Sequence, residues 1–259
     1  MKMKIIYIIP IFCLLFIFSC SNKKNNSSGS VSVYAAISTK LALDSIINYN
    51  YVGSELTIRK NYASSGILAR QILNGAKSDI FISANKEWID LLIKEKLIKS
   101  KNVKIFVKNS LVIAKNINDD NLIPEDFILD SSFDVGGFTQ NKLCIADPKH
   151  VPLGRYSKQV LEGLNWYEQL KGKMILAKDA YAVVNYLSLG ECDWAIVYKS
   201  DLAKNKDIKL VRGVANSLHD DVILYIALID DNNKEAVKLF DTLLGKASIN
   251  IMKEYGFEQ

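Results

Sequence analysis

Two serines stand where a run of small and aliphatic residues gives way to a helical pattern. Tyr34-Ala35-Ala36-Ile37-Ser38 precedes Leu41, Leu43, Ile46 and Ile47, and Asn61-Tyr62-Ala63-Ser64-Ser65-Gly66 precedes Ile67, Leu68 and Ile72. A serine at such a place is expected to cap the helix, while the N–H groups of the first turn point outward without intrahelical partners. Two more helix starts follow β-rich runs, at Val151-Pro152-Leu153-Gly154 and at Lys178-Asp179-Ala180. Helix starts converging on one edge would form an anion site of N–H groups, hydroxyls and helix dipoles. Each serine taken alone is better explained as a plain cap, so the residues by themselves license an anion cleft only as one possibility and nothing sharper.

Other chemistries find less support. The chain has no G-x-G-x-x-G, no Walker A motif, no G-x-S-x-G elbow and no H-E-x-x-H. No spacing favours a Ser/His/Asp arrangement around His150 or His219, and His150, in a loop between Pro148 and Pro152, reads as solvent-exposed or structural. Two histidines and four cysteines leave little room for a His/Cys metal cluster. The formal net charge of +5, which falls further once Lys2 and Lys4 are set aside, is too mild to imply nucleic acid. Trp88, Trp166 and Trp194 lie on apolar faces and read as core, not as a stacking platform. No catalytic residue and no cofactor is expected.

The elements that must position these residues alternate. β-rich runs at residues 31–36, 56–59, 79–82, 110–114, 143–146, 174–177 and 194–198 are separated by helical patterns such as Trp88/Ile89/Leu92/Ile93, Tyr156/Val160/Leu161/Leu164 and Val183/Val184/Leu187. Asn74-Gly75 and Gly190 are placed to end two helices in left-handed caps. This alternation predicts an α/β fold with largely parallel sheets, whose ligands bind at the carboxyl ends of the strands. The last thirty residues read as helical, and residues 116–140 as loop-rich. With 259 residues, 49% of them hydrophobic and 24% charged, the chain can bury one large core or two smaller ones.

The N-terminus reads as an export signal. Lys2 and Lys4 precede the apolar run 5–18, which is shorter than the roughly 20 residues a spanning helix needs. Ile17-Phe18-Ser19-Cys20 looks like a bacterial lipobox, whose Cys20 would be lipidated after removal of residues 1–19; an uncleaved N-terminal anchor is the alternative. Residues 20–30, polar and rich in Ser and Asn, read as a flexible tether. Exported and lipid-anchored at the membrane, on its periplasmic or extracellular face, the protein would retain Cys144 and Cys192. Both sit beside apolar residues and read as buried reduced thiols, with one disulfide as the alternative.

Longer strings carry a resemblance. Ala63-Ser64-Ser65-Gly66-Ile67-Leu68-Ala69-Arg70-Gln71-Ile72, Ser78-Asp79-Ile80-Phe81-Ile82-Ser83-Ala84-Asn85-Lys86-Glu87-Trp88 and Asp147-Pro148-Lys149-His150-Val151-Pro152-Leu153-Gly154-Arg155-Tyr156 resemble the molybdate-binding proteins of bacterial ABC importers. So do Ala195-Ile196-Val197-Tyr198-Lys199-Ser200-Asp201 and Tyr255-Gly256-Phe257, in the same order. The resemblance spans residues 31–257. It implies a two-lobe type II periplasmic-binding-protein fold joined by two crossover strands, near residues 108–111 and 221–224. Lobe one would then take residues 31–108 and 223–259, and lobe two residues 109–222.

It also implies a non-enzymatic protein that captures molybdate, and tungstate comparably, for a membrane ABC permease, and that works as a monomer. The family's ligand groups fall on Ser38, Ser65, Leu153, Ala180 and Tyr198. Ser38 and Ser65 would donate from hydroxyl and backbone N–H, Leu153 and Ala180 from backbone N–H, and Tyr198 from its phenol; molybdenum would be held only as the oxyanion. Arg155 would add positive potential for capture, or stand as a plain surface residue. Leu153, bulkier than the family's usual Ala, implies an altered pocket size, and Gly66 stands where Ser is common. Binding of sulfate or another tetrahedral oxyanion is the near alternative, and an exported hydrolase or transferase on the same fold the remote one.

Overall fold

The computed structural model describes residues 29–118, 129–133, 135 and 142–259. The expected signal peptide, Cys20 and all but the end of the expected tether lie outside the described residues, as does most of the 116–140 segment.

Two five-stranded sheets organise the chain. Lobe one begins with β1 (Ser30–Ala36), a 3-10 turn (Ile37–Thr39), α1 (Lys40–Tyr51), β2 (Thr57–Ala63), α2 (Ser65–Leu73), β3 (Ile80–Ser83), α3 (Lys86–Lys94) and β4 (Val103–Asn109). Lobe two follows with β5 (Leu111–Asn116), β6 (Leu143–Ala146), α4 (Pro152–Gly163), α5 (Tyr167–Leu170), β7 (Met174–Ala177), α6 (Ala180–Ser188), β8 (Trp194–Tyr198) and β9 (Ile208–Gly213). The chain then returns to the first sheet through β10 (Val222–Leu228) and closes with α7 (Lys234–Leu244) and α8 (Lys246–Glu254). Strand order is β2-β1-β3-β10-β4 in one sheet and β7-β6-β8-β5-β9 in the other. Only Ser110 separates β4 from β5, where the chain first changes sheets.

The sheets are mixed rather than largely parallel. β1 pairs in parallel with β2 and β3, and β6 with β7 and β8. The other four pairings, β10 with β3 and β4 and β5 with β8 and β9, are antiparallel. The antiparallel half comes from the strands that cross between lobes and their neighbours, which need no helical crossover.

Alternation sorts the side chains of lobe one to two faces. Val31, Val33, Ala35, Ile80 and Ile82 face α1, α7 and α8, while Phe81 faces α2 and α3 with Leu68, Ile89 and Leu92. Lobe two has one continuous core built on β5, β6 and β8. On α1 the buried stripe is Ala42, Leu43, Ile46 and Ile47; Leu41 points to solvent. Gly75 and Gly190, with φ of 91° and 75°, end α2 and α6 in the expected left-handed region. Cys144 and Cys192 are not free thiols: they form a disulfide, with Cα atoms 5.9 Å apart. Parallel pairing of β6 with β8 brings the end of α6 and the start of β8 beside β6, a proximity that residue spacing does not reveal. No helix among the described residues is long and apolar enough to cross a membrane.

Candidate functional site

The five expected ligand positions all follow, or end, a strand that runs in parallel with a neighbour. Ser38 comes after β1, Ser65 after β2, Leu153 after β6 and Ala180 after β7, and Tyr198 is the last residue of β8. They therefore stand at the carboxyl ends of two parallel sets, one per lobe, the edge where α/β sheets bind ligands.

The helix starts are left with open donors, and not in the expected way. Serine side chains do not cap: Ser64 occupies the N-cap of α2 without a capping bond, and Ser38 lies inside the 3-10 turn, which Thr39 pins by donating its hydroxyl to the Ala36 carbonyl at 2.8 Å. The Ser65 hydroxyl accepts the Ala84 N–H at 3.0 Å, so its own hydrogen remains free to donate. At α4, Val151 is the N-cap and Pro152 the first residue, leaving Leu153 and Gly154 N–H groups without an i−4 carbonyl inside the helix. Gly154 is required there, because a Cβ would lie 2.2 Å from the Ala146 carbonyl oxygen. At α6 the Asp179 carboxylate accepts the Ala182 N–H at 2.8 Å and leaves Ala180 open in the same sense.

Burial sharpens the site. Ser65, Leu153, Ala180 and Tyr198 are 0–3% exposed. The Leu153 side chain packs in the lobe-two core, so its bulk is taken up there while the backbone supplies the donor. The Tyr198 hydroxyl is buried and has no hydrogen-bond partner among the described residues, a costly condition for a polar group. Burial, then the nearby Tyr156 and Asp201, push the Tyr198 phenol well above its ordinary range, so it stays protonated and able to donate. Below it the Asp201 carboxylate accepts the Tyr198 N–H at 3.0 Å, and burial pushes that carboxyl up to about 7. The Ser64 hydroxyl, also buried without a partner, was not singled out from sequence beside Ser65; a neighbouring serine in the same string was the only signal.

The lobes are in contact. Tyr156 of α4 donates its hydroxyl to the Ala84 carbonyl at 3.2 Å, and Ala84 is the residue whose N–H binds Ser65, so an expected ligand position of lobe one is tied to the helix of Leu153. Ile37, beside Ser38, packs on the lobe-two core. Arg155 is neither a free source of potential nor a plain surface residue: it pairs with Glu87 and stacks 5.1 Å from the Trp88 ring centroid. Trp88 is buried, as expected of a core residue, but beneath guanidiniums. A groove of about 950 Å³ between the lobes is lined by Ser38, Leu41, Tyr181, Leu189 and Lys204; Ser65, Leu153, Ala180 and Tyr198 do not reach it. No group of three or more His, Cys, Asp or Glu residues able to hold a metal ion exists among the described residues.

Comparison with known proteins places the chain in a family. A family described as bacterial extracellular solute-binding protein matches residues 31–258. The molybdate-binding protein ModA of Escherichia coli (strain K12) is 31% identical over 242 residues, 93% of each chain. YvgL of Bacillus subtilis (strain 168), named as an ABC transporter substrate-binding lipoprotein, is 27% identical over 97% of this chain and 96% of its own. Among solved structures, a substrate-binding domain assigned to a molybdenum ABC transporter of Clostridium difficile is 31% identical, with a TM-score of 0.64, covering 89% of this chain and 98% of that one.

Proposed function

Because the chain belongs to the bacterial extracellular solute-binding proteins, we propose that it captures molybdate outside the cytoplasm and delivers it to an ABC importer. The single observation that carries this reading is the Tyr198 hydroxyl, buried and unpartnered beside helix starts whose N–H groups are open. Ser38, Ser65, Leu153, Ala180 and Tyr198 hold the oxyanion, in lobes taken as residues 31–108 with 223–259 and residues 109–222.

Donors without acceptors suit a fully deprotonated tetrahedral dianion. Each oxygen takes hydrogen bonds while the helix starts spread partial positive charge around it. Monohydrogen phosphate brings a proton that needs an acceptor and would meet a donor instead. Sulfate has the right charge but shorter reach, so it would not satisfy all the donors at once, whereas tungstate nearly matches molybdate in size. The five positions include no general base, and the protein binds rather than catalyses. It uses no cofactor, acts as a monomer, and is held at the membrane by lipid on Cys20, in keeping with the lipoprotein name of its Bacillus relative.

Titration calorimetry of the purified protein with molybdate, tungstate, sulfate and phosphate tests the reading. Tight binding of the first two with the others far weaker is expected. A stronger response to sulfate would reassign the anion, and no response to any of the four would overturn the capture function.

A further inference from the structure

Four contacts bridge the lobes on one side of the cleft. Arg155, on α4 of lobe two, pairs with Glu87 on α3 of lobe one and lies over the Trp88 ring. Arg70, on α2 of lobe one, covers the same ring at 5.4 Å and donates through Nη2 to His150 Nδ1 of lobe two at 2.8 Å. Tyr156 completes the set on the Ala84 carbonyl. Gly66 permits this approach, since a Cβ there would lie 2.5 Å from the His150 carbonyl oxygen.

The arrangement has a logic that packing alone does not require. Two guanidiniums share one indole, and their mutual repulsion is offset by a carboxylate on one side and an imidazole acceptor on the other. Arg70 and Trp88 belong to the same lobe and stay together when the lobes part. Every other contact in the group is lost on opening, and Trp88, 6% exposed when closed, would then meet water on the face Arg155 covers. Trp166 and Trp194, whose ring centroids are 6.4 Å apart inside lobe two, keep their surroundings.

We propose that Arg70, Glu87, Trp88, His150 and Arg155 form a cross-lobe clasp that holds the cleft closed and sets how long the anion stays, with Trp88 as its optical reporter. This rests on the anion-capture reading. The five are positioning residues: they act on the lobe equilibrium, so their loss speeds release while leaving encounter and anion ranking intact. A stacked guanidinium and its ion pair together are in the range that shifts such an equilibrium about tenfold.

Stopped-flow mixing of the purified protein with molybdate, on wild type and on Arg155→Gln, Arg155→Lys, Glu87→Gln and Trp88→Phe, tests it. Arg155→Gln should raise the release rate about tenfold with an unchanged association rate and the same order of anions. Arg155→Lys, which keeps the charge and loses the planar stack, should fall between. Trp88→Phe should abolish most of the fluorescence change while calorimetry still records binding. An unaltered release rate in Arg155→Gln overturns the clasp, and so does a changed anion order, which would mean direct contact with the ligand. If wild type binds none of the four anions, the capture reading fails by itself. The clasp is then judged by X-ray scattering of the ligand-free proteins: a larger radius of gyration in Arg155→Gln supports it, and identical radii overturn it.

Discussion

Replacing Tyr198 with phenylalanine separates binding from stability, because the hydroxyl has no partner among the described residues to lose. Tyr198 is 2% exposed, and its oxygen meets no donor or acceptor among the described residues. Tyr198→Phe keeps the ring in the lobe-two core and removes one oxygen. For the bound anion that oxygen is a charge-assisted donor, a class of hydrogen bond worth about 1.5–3 kcal/mol, so the dissociation constant should rise about 10- to 150-fold. For the ligand-free protein the sign differs. An unmet buried hydroxyl costs about 1–3 kcal/mol, and when the lobes part water relieves that cost, so the variant should be as stable as wild type or more so. Calorimetric titration with molybdate alongside thermal unfolding of the ligand-free protein measures both. An unchanged dissociation constant would refute the anion contact. A drop in ligand-free stability would refute the claim that the hydroxyl stands unpartnered.

Three further outcomes follow from other parts of the fold. Reducing the Cys144–Cys192 bond, which joins residues 48 apart, should lower stability by about 4 kcal/mol on chain-entropy grounds, read as a lower Tm in dithiothreitol than in oxidising buffer. Gly154→Ala should cost about 1–3 kcal/mol and weaken anion binding together, since the new methyl meets the Ala146 carbonyl and pushes the start of α4 outward; thermal unfolding and titration on the same sample check it. Burial pushes the Asp44 carboxyl up, but hydrogen bonds from Lys60 at 2.5 Å and Tyr62 at 2.8 Å and the Lys60 charge outweigh it and leave it below 3.8. The stability it contributes is thus present above about pH 4 and lost as pH falls through its folded value, and Asp44→Asn should flatten that acid limb of a pH series of melts.

What the residues made legible was local. β-rich runs and helical stripes placed seven of the strands, and Gly75 and Gly190 marked helix ends because a positive φ leaves a glycine signature. Pattern alone does not show β4, β9 or β10; the resemblance places crossover strands near residues 108–111 and 221–224, at the end of β4 and the start of β10, and leaves β9 without a signal. β4 mixes Lys104 and Lys108 with its apolar residues, and β9 does the same with Lys209 and Arg212, so neither reads as a clean buried run. β10 is apolar almost throughout, yet it follows a stretch with no helical pattern, so alternation of β and α elements did not announce it. Those three strands supply antiparallel pairings, which explains why a sheet inferred from alternation came out too parallel. The cysteine bond failed for a related reason: it depends on register between β6 and β8, and spacing along the chain carries no register.

The site divides along the same line. The helix starts of the proposed anion pocket are legible in sequence because each is encoded by a few consecutive residues, and a side chain can vary where the backbone would donate, as proposed for Leu153 and Ala180. The clasp cannot be read that way. Arg70 lies in one string, Glu87 and Trp88 in a second and His150 with Arg155 in a third, and each reads alone as a surface charge or a core ring. Only closure puts a guanidinium from each lobe on one indole. On the reading proposed above, the two kinds of residue serve different quantities: the backbone donors decide which anion fits, and the side chains between lobes decide how long it is kept. Substitutions that retune residence should therefore accumulate at the clasp without altering selectivity, because no donor to the anion is among them.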